Sequence, residues 1–518
     1  MEQGNVYAED WPDWQLPSGF QPVVDHLLAH REPIYAVGGA VRDMLLGRPH
    51  PLTDLDLALA GPVLPLARKV ADTLGWAFYP LDRERDVARL VDLRRPGTRL
   101  VCDLAALRGT IQEDLRSRDF TVNALAVELR RHALPRLLDV GPGRNDLAAR
   151  RLRPVTAHSL LDDPVRMVRA VRLAAELGFS LTSEARLQIQ EHAAQVTQAT
   201  PERIREELWK ALALPEPDDV VEAMRELRLL FPLLPEVAET VDVPQSPPHH
   251  TDVYRHTLLA VGYAAALRDW LLGQRDRLAP EIRALLAPWR EDLAHLARER
   301  LADDRRRGQW LVWSALFHDV GKPATYEEVE RRGQRRIRFR GHAEVGALMV
   351  EQRLQHLRFS RREVTLATQV VRHHMRPLLL EQDFADRPIS RRAAFRFFQA
   401  TRARQGHRLA GVDVLLLALA DAQATGAERP PHWPRFLARM GELFAYAFEE
   451  QLPLVQPLVD GHTLMESLGL EQGPLVGKIL RALVEAQVMG QIHTPEEALA
   501  FARSYLKSTG HVQPAKPT

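Results

Sequence analysis

The chain has 518 residues, which is too long for one ordinary core and predicts three or four domains. Lys and Arg (69) nearly balance Asp and Glu (68), so the net charge does not indicate a general nucleic-acid binder, and any polyanion site must be a local patch. The only cysteine, Cys102, excludes an intramolecular disulfide and fits a reducing compartment.

The N-terminal stretch MEQGNVYAEDWPDW is acidic and has no apolar run, so we expect no secretory signal. The chain has no stretch of about 18 uncharged apolar residues, so no membrane span is predicted. We therefore expect a cytoplasmic protein without a membrane partner.

The segment PIYAVGGAVRDMLL predicts a strand, a glycine turn and a helix. Gly38 and Gly39 let the backbone turn sharply, and Gly47 ends the helix. A turn of this kind presents backbone amides at a helix N-terminus, which suits an anion. Arg42 opposes the helix dipole there, which is easier to understand if it faces a phosphate. The dinucleotide pattern GxGxxG is absent.

Downstream, TDLDLALA has the period-two pattern of a strand with one buried face. The leucines occupy that face, which places Asp54 and Asp56 together on the other. Two carboxylates this close repel each other unless a cation lies between them, and oxygen ligands favour Mg²⁺ or Mn²⁺. Two solvent-exposed aspartates on an edge strand are the alternative, but the nearby glycine turn favours a metal site.

A third carboxylate, Asp103, lies in RLVCDLAALRG and alternates with apolar residues at strand spacing. It is either a further metal ligand or a solvent-facing strand residue. The predicted chemistry is the attack of a hydroxyl on the α-phosphate of a nucleoside triphosphate, with the help of two metal ions typically about 3.5–4 Å apart.

After Leu152 the pattern is almost wholly helical, and DDPVRMVRAVRLAAELGF opens a long helix. Asp163 and Arg166 are three residues apart and adjoin on one helical face, with Arg169 next along. Asp163 could instead be an N-cap before Pro164, and the arginines could be an exposed stripe.

Together, VGGAVRDMLLG…TDLDLAL and EDLRSRDFTVNALAVEL resemble the bacterial class II tRNA nucleotidyltransferase and poly(A) polymerase family, over residues 34–212. That family's second motif reads RRDFT-x-NAL, and here Ser117 replaces its first arginine. The resemblance implies that Asp119 and Asn123 help to select a ribose and that Arg118 contacts the nucleotide. The missing arginine weakens the expected grip on phosphate or tRNA.

The helix that carries Asp163, Arg166 and Arg169 is similar to the family's nucleobase-reading helix, usually written EDxxR. The resemblance implies that Asp163 and Arg166 hydrogen-bond the base of the incoming nucleotide in place of a template strand. The segment TPERIREELWKAL is similar to the next motif, in which Glu202 and Arg203 brace this helix.

Between Leu107 and Arg118 the chain has only the ten residues RGTIQEDLRS. Family members that add the complete CCA triplet carry a long, flexible loop in this place, which the resemblance relates to the switch from CTP to ATP. The short segment resembles the CC-adding subgroup, which leaves the terminal A to a partner enzyme.

The second half contains ALFHDVGKPATY, in which Lys322 follows an adjacent His and Asp. The ordered pattern H…HD…H…H…D resembles the HD superfamily of metal-dependent phosphohydrolases. The predicted ligands are His256, His318, Asp319, His342, His373 and Asp421, with His374 as the alternative to His373. Such ligands suit a first-row divalent ion, and their number allows two ions. A bound metal could also be only structural.

We therefore predict an α+β protein with a polymerase-beta-like nucleotidyltransferase head, an all-α neck, an all-α HD domain and a helical tail. The predicted bounds are residues 19–145 for the catalytic head, 146–240 for the neck that recognises the base and binds RNA, 250–430 for the HD domain, and 431–518 for a tail that binds tRNA.

The predicted activity is template-independent addition of C, or of CCA, to the tRNA 3′ end from CTP, with ATP for the final residue, together with HD phosphohydrolase activity. The predicted cofactors are two Mg²⁺ ions in the transferase site and Mn²⁺, Ni²⁺ or Co²⁺ in the HD site. One alternative is a poly(A) polymerase or A-adding enzyme. The other is an HD phosphohydrolase or RNA-binding protein with an inactive transferase head, against which the intact Asp54 and Asp56 argue.

Overall fold

The structure is a computed structural model that describes residues 7–31, 33–48, 53–94, 99–331, 333–402, 409–426, 432–451 and 455–509. The chain divides into two compact units, Met1–Ala211 with Glu226–Pro232 and Leu212–Arg225 with Leu233–Thr518. Among the described helices, none combines the length and apolar character that crossing a bilayer requires.

The first unit is built on a mixed sheet. Its strands are β1 (Tyr7–Asp10), β2 (Ile34–Val37), β3 (Asp54–Leu59), β4 (Ala77–Asp82), β5 (Val87–Asp92), β6 (Leu100–Ala106), β7 (Leu125–Leu129) and β8 (Arg136–Asp139). Neighbours in the sheet follow the order β1-β8-β7-β2-β3-β6-β5-β4. β3 and β6 run parallel, and the other neighbouring pairs are antiparallel.

Side chains along the central strands β3 and β6 point alternately to the two faces of the sheet, and the leucines are buried on one face. Leu55, Leu57 and Leu59 of β3 are at most 1% exposed. Cys102 and Leu104 of β6 are fully buried on the same pattern. One face of these strands therefore forms core, and the other face is left for polar residues.

Helices lie between the strands of the sheet in the sequence and make up most of the chain after the last of these strands. The helices of this first part are α1 (Gln21–Leu28), α2 (Gly39–Leu45), α3 (Leu64–Leu74), α4 (Ile111–Arg116), α5 (Gly143–Ala148), α6 (Ser159–Asp162), α7 (Val165–Leu177), α8 (Ser183–His192), α9 (Pro201–Leu212), α10 (Pro217–Glu226), α11 (Leu230–Leu233) and α12 (Pro235–Ala238). A short parallel pair, β9 (Arg151–Leu152) and β10 (Ser180–Leu181), lies among them.

The second unit is almost entirely helical. Its further helices are α13 (Val253–Leu272), α14 (Pro280–Leu286), α15 (Arg290–Arg298), α16 (Gln309–Phe317), α17 (His342–His356), α18 (Arg361–His373), α19 (Arg376–Asp383), α20 (Arg391–Thr401), α21 (Ala410–Ala424), α22 (Trp433–Phe448), α23 (Gly461–Leu468), α24 (Pro474–Val488) and α25 (Pro495–Ser508). Two short antiparallel pairs interrupt them, β11 (Arg300–Ala302) with β12 (Arg305–Arg306) and β13 (Tyr326–Arg331) with β14 (Gln334–Phe339).

Apolar all-round helices form the centre of this unit. In α16 every residue is buried, and its Trp310 and Trp313 rings both meet Phe359 edge-on, at centroid distances of 5.0 and 5.2 Å. A helix that is apolar on every side must lie inside a protein. The predicted α+β class, with a sheet in the head and helices after it, is confirmed.

Candidate active sites

Three carboxylates, Asp54, Asp56 and Asp103, lie on one face of the parallel strands β3 and β6. The strand register pairs Asp56 with Asp103 and Asp54 with Val101. Because side chains alternate along a strand, Asp54 and Asp56 share a face, and the register brings Asp103 beside Asp56. We call these three residues the acidic face. The structure thus brings together the aspartates that the sequence nominated.

The carboxylates of the acidic face disfavour one another's ionisation. Burial and then Asp103 raise the pKa of Asp54 above its ordinary value. Burial and then Asp103 raise the pKa of Asp56 to about 6, although its side chain reaches solvent. Neighbouring protein atoms displace water from around this carboxylate even though part of its surface stays accessible. Burial therefore raises its pKa more than the accessible area alone would indicate. Adjoining carboxylates with raised pKa values gain from a bound cation.

An arginine that the sequence analysis did not single out, Arg89 on β5, holds one of these carboxylates. Arg89 lies directly opposite Asp103 in the antiparallel register of β5 and β6. Its Nε and Nη2 donate hydrogen bonds to both oxygens of Asp103, each at 2.8 Å. A bidentate pair of this kind fixes the orientation of the carboxylate. The alternation in VARLVD was a usable signal, but only a known strand pairing would have aligned it with Asp103.

The glycine turn lies against the acidic face. Val37, the last residue of β2, pairs with Asp56, and Gly38 follows with a φ of +75°. A Cβ atom at Gly38 would lie 3.2 Å from Oδ2 of Asp56 and 3.3 Å from Nη1 of Arg118. Glycine is required here both by the backbone angle and by the space. Turn, carboxylate and guanidinium therefore meet at one point.

Arg42 of the glycine-turn helix has protein partners that the sequence analysis did not predict. Its side chain is buried, and it donates from Nη1 to Oδ1 of Asn123 and from Nε to Oδ1 of Asp43, both at 2.8 Å. The guanidinium is therefore hydrogen-bonded inside the protein, and its Nη2 lies 3.5 Å from the place where a Cβ atom of Gly39 would be. A contact between Arg42 and a phosphate stays a prediction.

Asp119 and Asn123 continue this chain of hydrogen bonds into the helices. Nδ2 of Asn123 donates to Oδ1 of Asp119 at 3.0 Å, and Nη1 of Arg169 donates to Oδ2 of Asp119 at 3.3 Å. Nε of Arg169 also donates to Glu207 of α9 at 2.8 Å. We call Arg42, Asn123, Asp119, Arg169 and Glu207 the neck network. It ties the helix of the glycine turn to α7 and α9, and a ribose contact by Asp119 and Asn123 stays a prediction.

The two residues expected to recognise a base, Asp163 and Arg166, lie together at the start of α7, with an N–O distance of 3.6 Å. Arg203 of α9 donates two hydrogen bonds to Asp163, at 2.9 and 2.6 Å. Arg166 donates to three backbone carbonyl oxygens, those of Ser159 at 3.0 Å, Ser117 at 2.9 Å and Arg118 at 3.4 Å. Protein partners therefore hold both side chains in place.

Asp163 is not a helix N-cap, because Pro164 occupies that position and no side chain caps α7. Burial disfavours ionisation of Asp163, but the hydrogen bonds and charge of Arg203 outweigh burial and hold its pKa below the ordinary value. The carboxylate is thus a fixed hydrogen-bond acceptor.

The segment between β6 and Arg118 is a short, capped helix. The hydroxyl of Thr110 accepts a hydrogen bond from the Glu113 backbone N–H, and the Glu113 side chain accepts one from the Thr110 N–H at 2.7 Å. This capping box starts α4, whose Ile111 and Leu115 are buried. The segment is therefore a compact packed element.

The second candidate site is a cluster of buried histidines and carboxylates in the helical unit. We call it the histidine cluster, and its members are His256, His318, Asp319, His342, His374 and Asp421. Two overlapping groups, one of His256, His318 and Asp319 and one of Asp319, His342 and His374, each hold their ligand atoms within 4.8 Å. Oδ2 of Asp319 is 3.1 Å from Nε2 of His318, and its Oδ1 is 3.5 Å from Nε2 of His342. One carboxylate therefore serves both groups.

The four imidazoles are oriented by their backbone partners. Each ring has Nδ1 within hydrogen-bond distance of a carbonyl oxygen. The pairs are His256 with Ala424 (3.2 Å), His318 with Ala315 (2.8 Å), His342 with Phe339 (2.8 Å) and His374 with Val371 (2.7 Å). A neutral ring that donates from Nδ1 presents the Nε2 lone pair, which is the form a metal ion takes.

The choice of His373 as a ligand is corrected by the structure. Nε2 of His374 lies 3.2 Å from Nε2 of His342, whereas Nδ1 of His373 accepts a hydrogen bond from Nε of Arg376 at 3.0 Å. Consecutive residues of a helix point about 100° apart, so only one of the pair enters the cluster. The motif spacing did not distinguish them because α18 ends at this pair.

The buried carboxylates of the cluster require positive charge. Burial lowers the pKa of His318, but Asp319 and then Asp421 outweigh it and raise the pKa to about 10. Burial and then the neighbouring histidines lower the pKa of His374 to about 3, so that ring is neutral. The carboxylates thus hold a positive charge on His318, and a divalent ion that displaced this proton would supply positive charge in its place. Carboxylates and imidazoles together form the donor set of a first-row divalent ion.

Comparison with known proteins agrees with both sites. Residues 34–153 match the Poly A polymerase head domain, residues 178–240 the probable RNA and SrmB-binding site of polymerase A, and residues 291–422 the HD domain. The chain is 37% identical to a CC-adding tRNA nucleotidyltransferase of Thermus thermophilus, over 90% of this chain and 92% of the relative. The protein belongs to the tRNA nucleotidyltransferase family.

Other relatives of this tRNA nucleotidyltransferase differ in the activity they are named for. An A-adding tRNA nucleotidyltransferase of Deinococcus radiodurans is 33% identical, over 91% of this chain and 95% of the relative. A multifunctional CCA protein of Halorhodospira halophila is 32% identical, over 90% and 98%. The family resemblance predicted from the motifs is confirmed, while relatives with three different names leave the added nucleotide open.

Solved structures share the fold of this tRNA nucleotidyltransferase. A CCA-adding enzyme in an apo form gives a TM-score of 0.59 at 17% identity, with 98% of this chain and all of that chain (100%) covered. The Thermotoga maritima CCA-adding enzyme complexed with tRNA gives 0.53 at 18% identity, with 96% and 99% covered. At such low identity the likeness concerns the fold.

We expect Gly38→Ala to abolish most nucleotide incorporation while the protein remains folded. The new methyl group would press on Asp56 and Arg118, and the positive φ would cost about 1–2 kcal/mol. Incorporation into tRNA and the thermal unfolding midpoint are measured together.

The matched control is Gly47→Ala, where φ is +59° and nothing lies within 4 Å of an added Cβ atom. It should lose similar stability and keep its activity. Equal activity losses in the two variants would remove the role assigned to the glycine turn.

We expect His374→Ala to lower the bound divalent-metal content of the protein, or its Mn²⁺ affinity by at least about tenfold, because the cluster loses an Nε2 donor. His373→Ala, which removes a histidine next to the cluster, should leave both unchanged. Metal content after dialysis and calorimetric titration with Mn²⁺ provide the measurement. The opposite ranking would restore His373 as the ligand.

Proposed function

We propose that the protein adds cytidylate residues from CTP to the 3′ end of tRNA. The observation that carries this proposal is the acidic face, which lies directly against the glycine turn at Gly38. Three carboxylates beside a backbone turn without side chains leave room for a triphosphate and its cations. Relatives named for tRNA nucleotidyl transfer support the assignment of the substrate.

The acidic face suits divalent metal ions. The raised pKa values of Asp54 and Asp56 reflect burial and then the like charge of Asp103, which a cation would offset, and hard oxygen ligands favour Mg²⁺. We propose that Asp54, Asp56 and Asp103 hold two Mg²⁺ ions. When bound, such ions activate the attacking hydroxyl and stabilise the charge of the departing pyrophosphate.

The proposed reaction is a displacement at phosphorus. The terminal ribose oxygen of the RNA loses its proton and forms a bond to the α-phosphorus of CTP. The bond from that phosphorus to the bridging oxygen breaks, and pyrophosphate leaves with the electron pair. In this protein Arg89 keeps Asp103 oriented, Gly38 leaves the space, and Arg118 places positive charge beside the turn.

We further propose that Asp163 and Arg166 select the base. Cytosine and adenine both carry an exocyclic amino group that donates hydrogen bonds, which a carboxylate accepts. Asp163 is held ionised by Arg203, and Arg166 is held by backbone carbonyls, so the pair presents a fixed pattern. The neck network, through Arg169, connects this pattern to the triphosphate site.

The compact α4 favours CC addition over complete CCA addition. By the family resemblance, a long flexible segment in this place accompanies the switch from CTP to ATP. Here Thr110 and Glu113 close the segment into a capped helix, and two of its residues are buried. A structured segment of this length lacks the freedom to rearrange the base-reading pair.

The proposed bounds follow the sequence analysis: the head over residues 19–145, the neck over 146–240, the HD domain over 250–430 and the tail over 431–518. We propose that the helical neck and tail hold the tRNA through local phosphate contacts, which fits the balanced charge of the whole chain.

Extension of tRNA substrates should show this specificity directly. With tRNA that lacks its 3′ CCA and with CTP alone, we expect addition of two C residues. With tRNA that ends in CC and with ATP, we expect no extension. Electrophoresis at single-nucleotide resolution checks both, and the CC-ending tRNA controls for substrate quality when a known CCA-adding enzyme extends it. Long A tails would support a poly(A) polymerase, and addition of a terminal A would overturn the CC assignment.

A second activity, phosphoester hydrolysis, is favoured by the histidine cluster. We propose that its residues would hold divalent ions such as Mn²⁺, Ni²⁺ or Co²⁺, with Asp319 belonging to both groups of candidate ligands. Such ions lower the pKa of a bound water. In the overall reaction the oxygen of a water molecule bonds to phosphorus, the bond to the ribose oxygen breaks, and that oxygen takes a proton from the water.

The two activities should respond to different substitutions. Asp56→Asn should abolish nucleotide incorporation, because it removes a carboxylate of the acidic face, and phosphate release should continue. Asp319→Ala should do the reverse, because it removes the carboxylate shared by both halves of the cluster. Incorporation of labelled CTP and release of inorganic phosphate are measured for each folded variant. Loss of both activities in one folded variant would contradict the assignment of separate sites.

A further inference from the structure

Three neighbouring cavities in the helical unit form a row that includes the histidine cluster. The first, of about 540 Å³, contains Asp319, His342, His374 and Asp421 in its wall. The second, of about 770 Å³, shares Phe339, His342 and Met375 with the first. The third, of about 900 Å³, shares Arg372 with the second. We call the second and third cavities the basic groove.

The basic groove follows one helix. Residues of α18 at helical spacing line the third cavity, from Arg361 in its first turn to Arg372 near its end. Arg372, His373 and Arg376 line the second cavity. His374, which lies among them in the sequence, belongs to the histidine cluster. The 13 residues of α18 span about 20 Å, the length of several stacked nucleotides.

The groove is strongly cationic although the chain as a whole is balanced. Seven arginines line its two cavities against three carboxylates, and a further carboxylate outside the lining, Glu485, pairs with Arg392 and Arg396. Within the described residues, the side chains of Arg361 and Arg372 have no hydrogen-bond or ion-pair partner, and Arg361 is exposed. Unpaired guanidinium groups in a concave surface are free to bind phosphate. This is the kind of local patch that the composition required of any polyanion site.

Aromatic side chains line the same row of cavities as the arginines. Phe339 is half-buried and forms part of the wall between the first and second cavities, and Phe384 is half-buried in the wall of the second. In the first cavity Trp433 and Phe436 face the same space as the cluster. Sites for single-stranded nucleic acid combine a cationic groove with aromatic faces on which bases stack.

We propose that the basic groove binds the single-stranded 3′ end of an RNA and leads its terminal phosphate to the histidine cluster. This inference rests on the proposed phosphohydrolase function, which it extends by naming an RNA strand as the substrate in place of a free mononucleotide. An anionic peptide would bind the arginines through its charge but would bring no phosphoester to the cluster, so the position of the cluster beside the groove, with His342 lining both cavities, favours RNA. His373, outside the cluster, becomes a residue of the groove through its hydrogen bond with Arg376.

The test compares two double variants of the full chain. Arg361→Gln with Arg372→Gln removes two charges from the groove. The matched control, Arg298→Gln with Arg306→Gln, removes two exposed charges of the same unit that line none of the three cavities. The probes are a short oligoribonucleotide with a 3′-terminal phosphate and the mononucleotide that corresponds to its last residue, each with Mn²⁺.

The unmodified protein should hydrolyse the oligoribonucleotide with a kcat/KM at least about tenfold above that of the mononucleotide. In the groove variant the KM for the oligoribonucleotide should rise about tenfold or more, and the ratio of kcat/KM between oligoribonucleotide and mononucleotide should fall. The slope of log KM against log salt concentration should decrease by about 1.4, the value for two lost contacts with a single strand. The control variant should match the unmodified protein. An equal KM in both variants, or a mononucleotide hydrolysed as efficiently as the strand, would overturn the proposal.

Binding is measured separately so that the two proposals fail in different ways. Fluorescence anisotropy of a labelled oligoribonucleotide without a 3′ phosphate reports the groove alone. If no probe is hydrolysed but the groove variant loses affinity and the control does not, the groove stands and the phosphohydrolase function falls. If hydrolysis occurs and the affinity of both variants is unchanged, the groove proposal is wrong and the cluster acts on small phosphoesters.

Discussion

Mutual repulsion among the carboxylates of the acidic face is the constraint on which the transferase head depends. The parallel pairing of β3 and β6 forces Asp103 beside Asp56, and burial adds to the cost of ionising Asp56. The positive charge of Arg89 offsets part of this repulsion, and a bound cation would offset the rest. A sheet that was designed only for stability would not keep such a face, so its presence in a well-packed strand pair marks it as functional.

The glycine turn and the neck helices belong to the same physical arrangement. Gly38 brings its backbone to the acidic face, and the helix that follows it places Arg42 on Asn123. From there the neck network reaches α7 and α9 through Asp119 and Arg169. Arg42, Asn123, Asp119 and Glu207 are buried and paired, so the loss of one partner leaves a buried polar group unsatisfied, at a cost of about 1–3 kcal/mol. The glycine turn and the helix proposed to read the base are therefore coupled through this network.

Much of the fold and of both sites could be predicted from the sequence, and the failures have a common cause. The period-two pattern of TDLDLALA was enough to place Asp54 and Asp56 on one face, because strand geometry is local. The partner of Asp103 was not predictable, because it depends on which strand lies beside β6. The hydrogen bond between Arg42 and Asn123 was not predictable either, because it is a tertiary contact. His373 was preferred to His374 because two adjacent residues at a helix end differ only in direction, which motif spacing does not encode.

The hydrogen bonds from the four imidazoles of the histidine cluster to backbone carbonyls have a consequence for how that cluster meets its ions. Each ring is held by the main chain of its own helix end or of a neighbouring one, so its rotation and tautomer are decided when the polypeptide folds. The entropy of arranging the donors is thus lost once, during folding, and not again at each encounter with a solute. A pre-organised coordination sphere of this sort allows one divalent ion to exchange for another without rebuilding the domain around it.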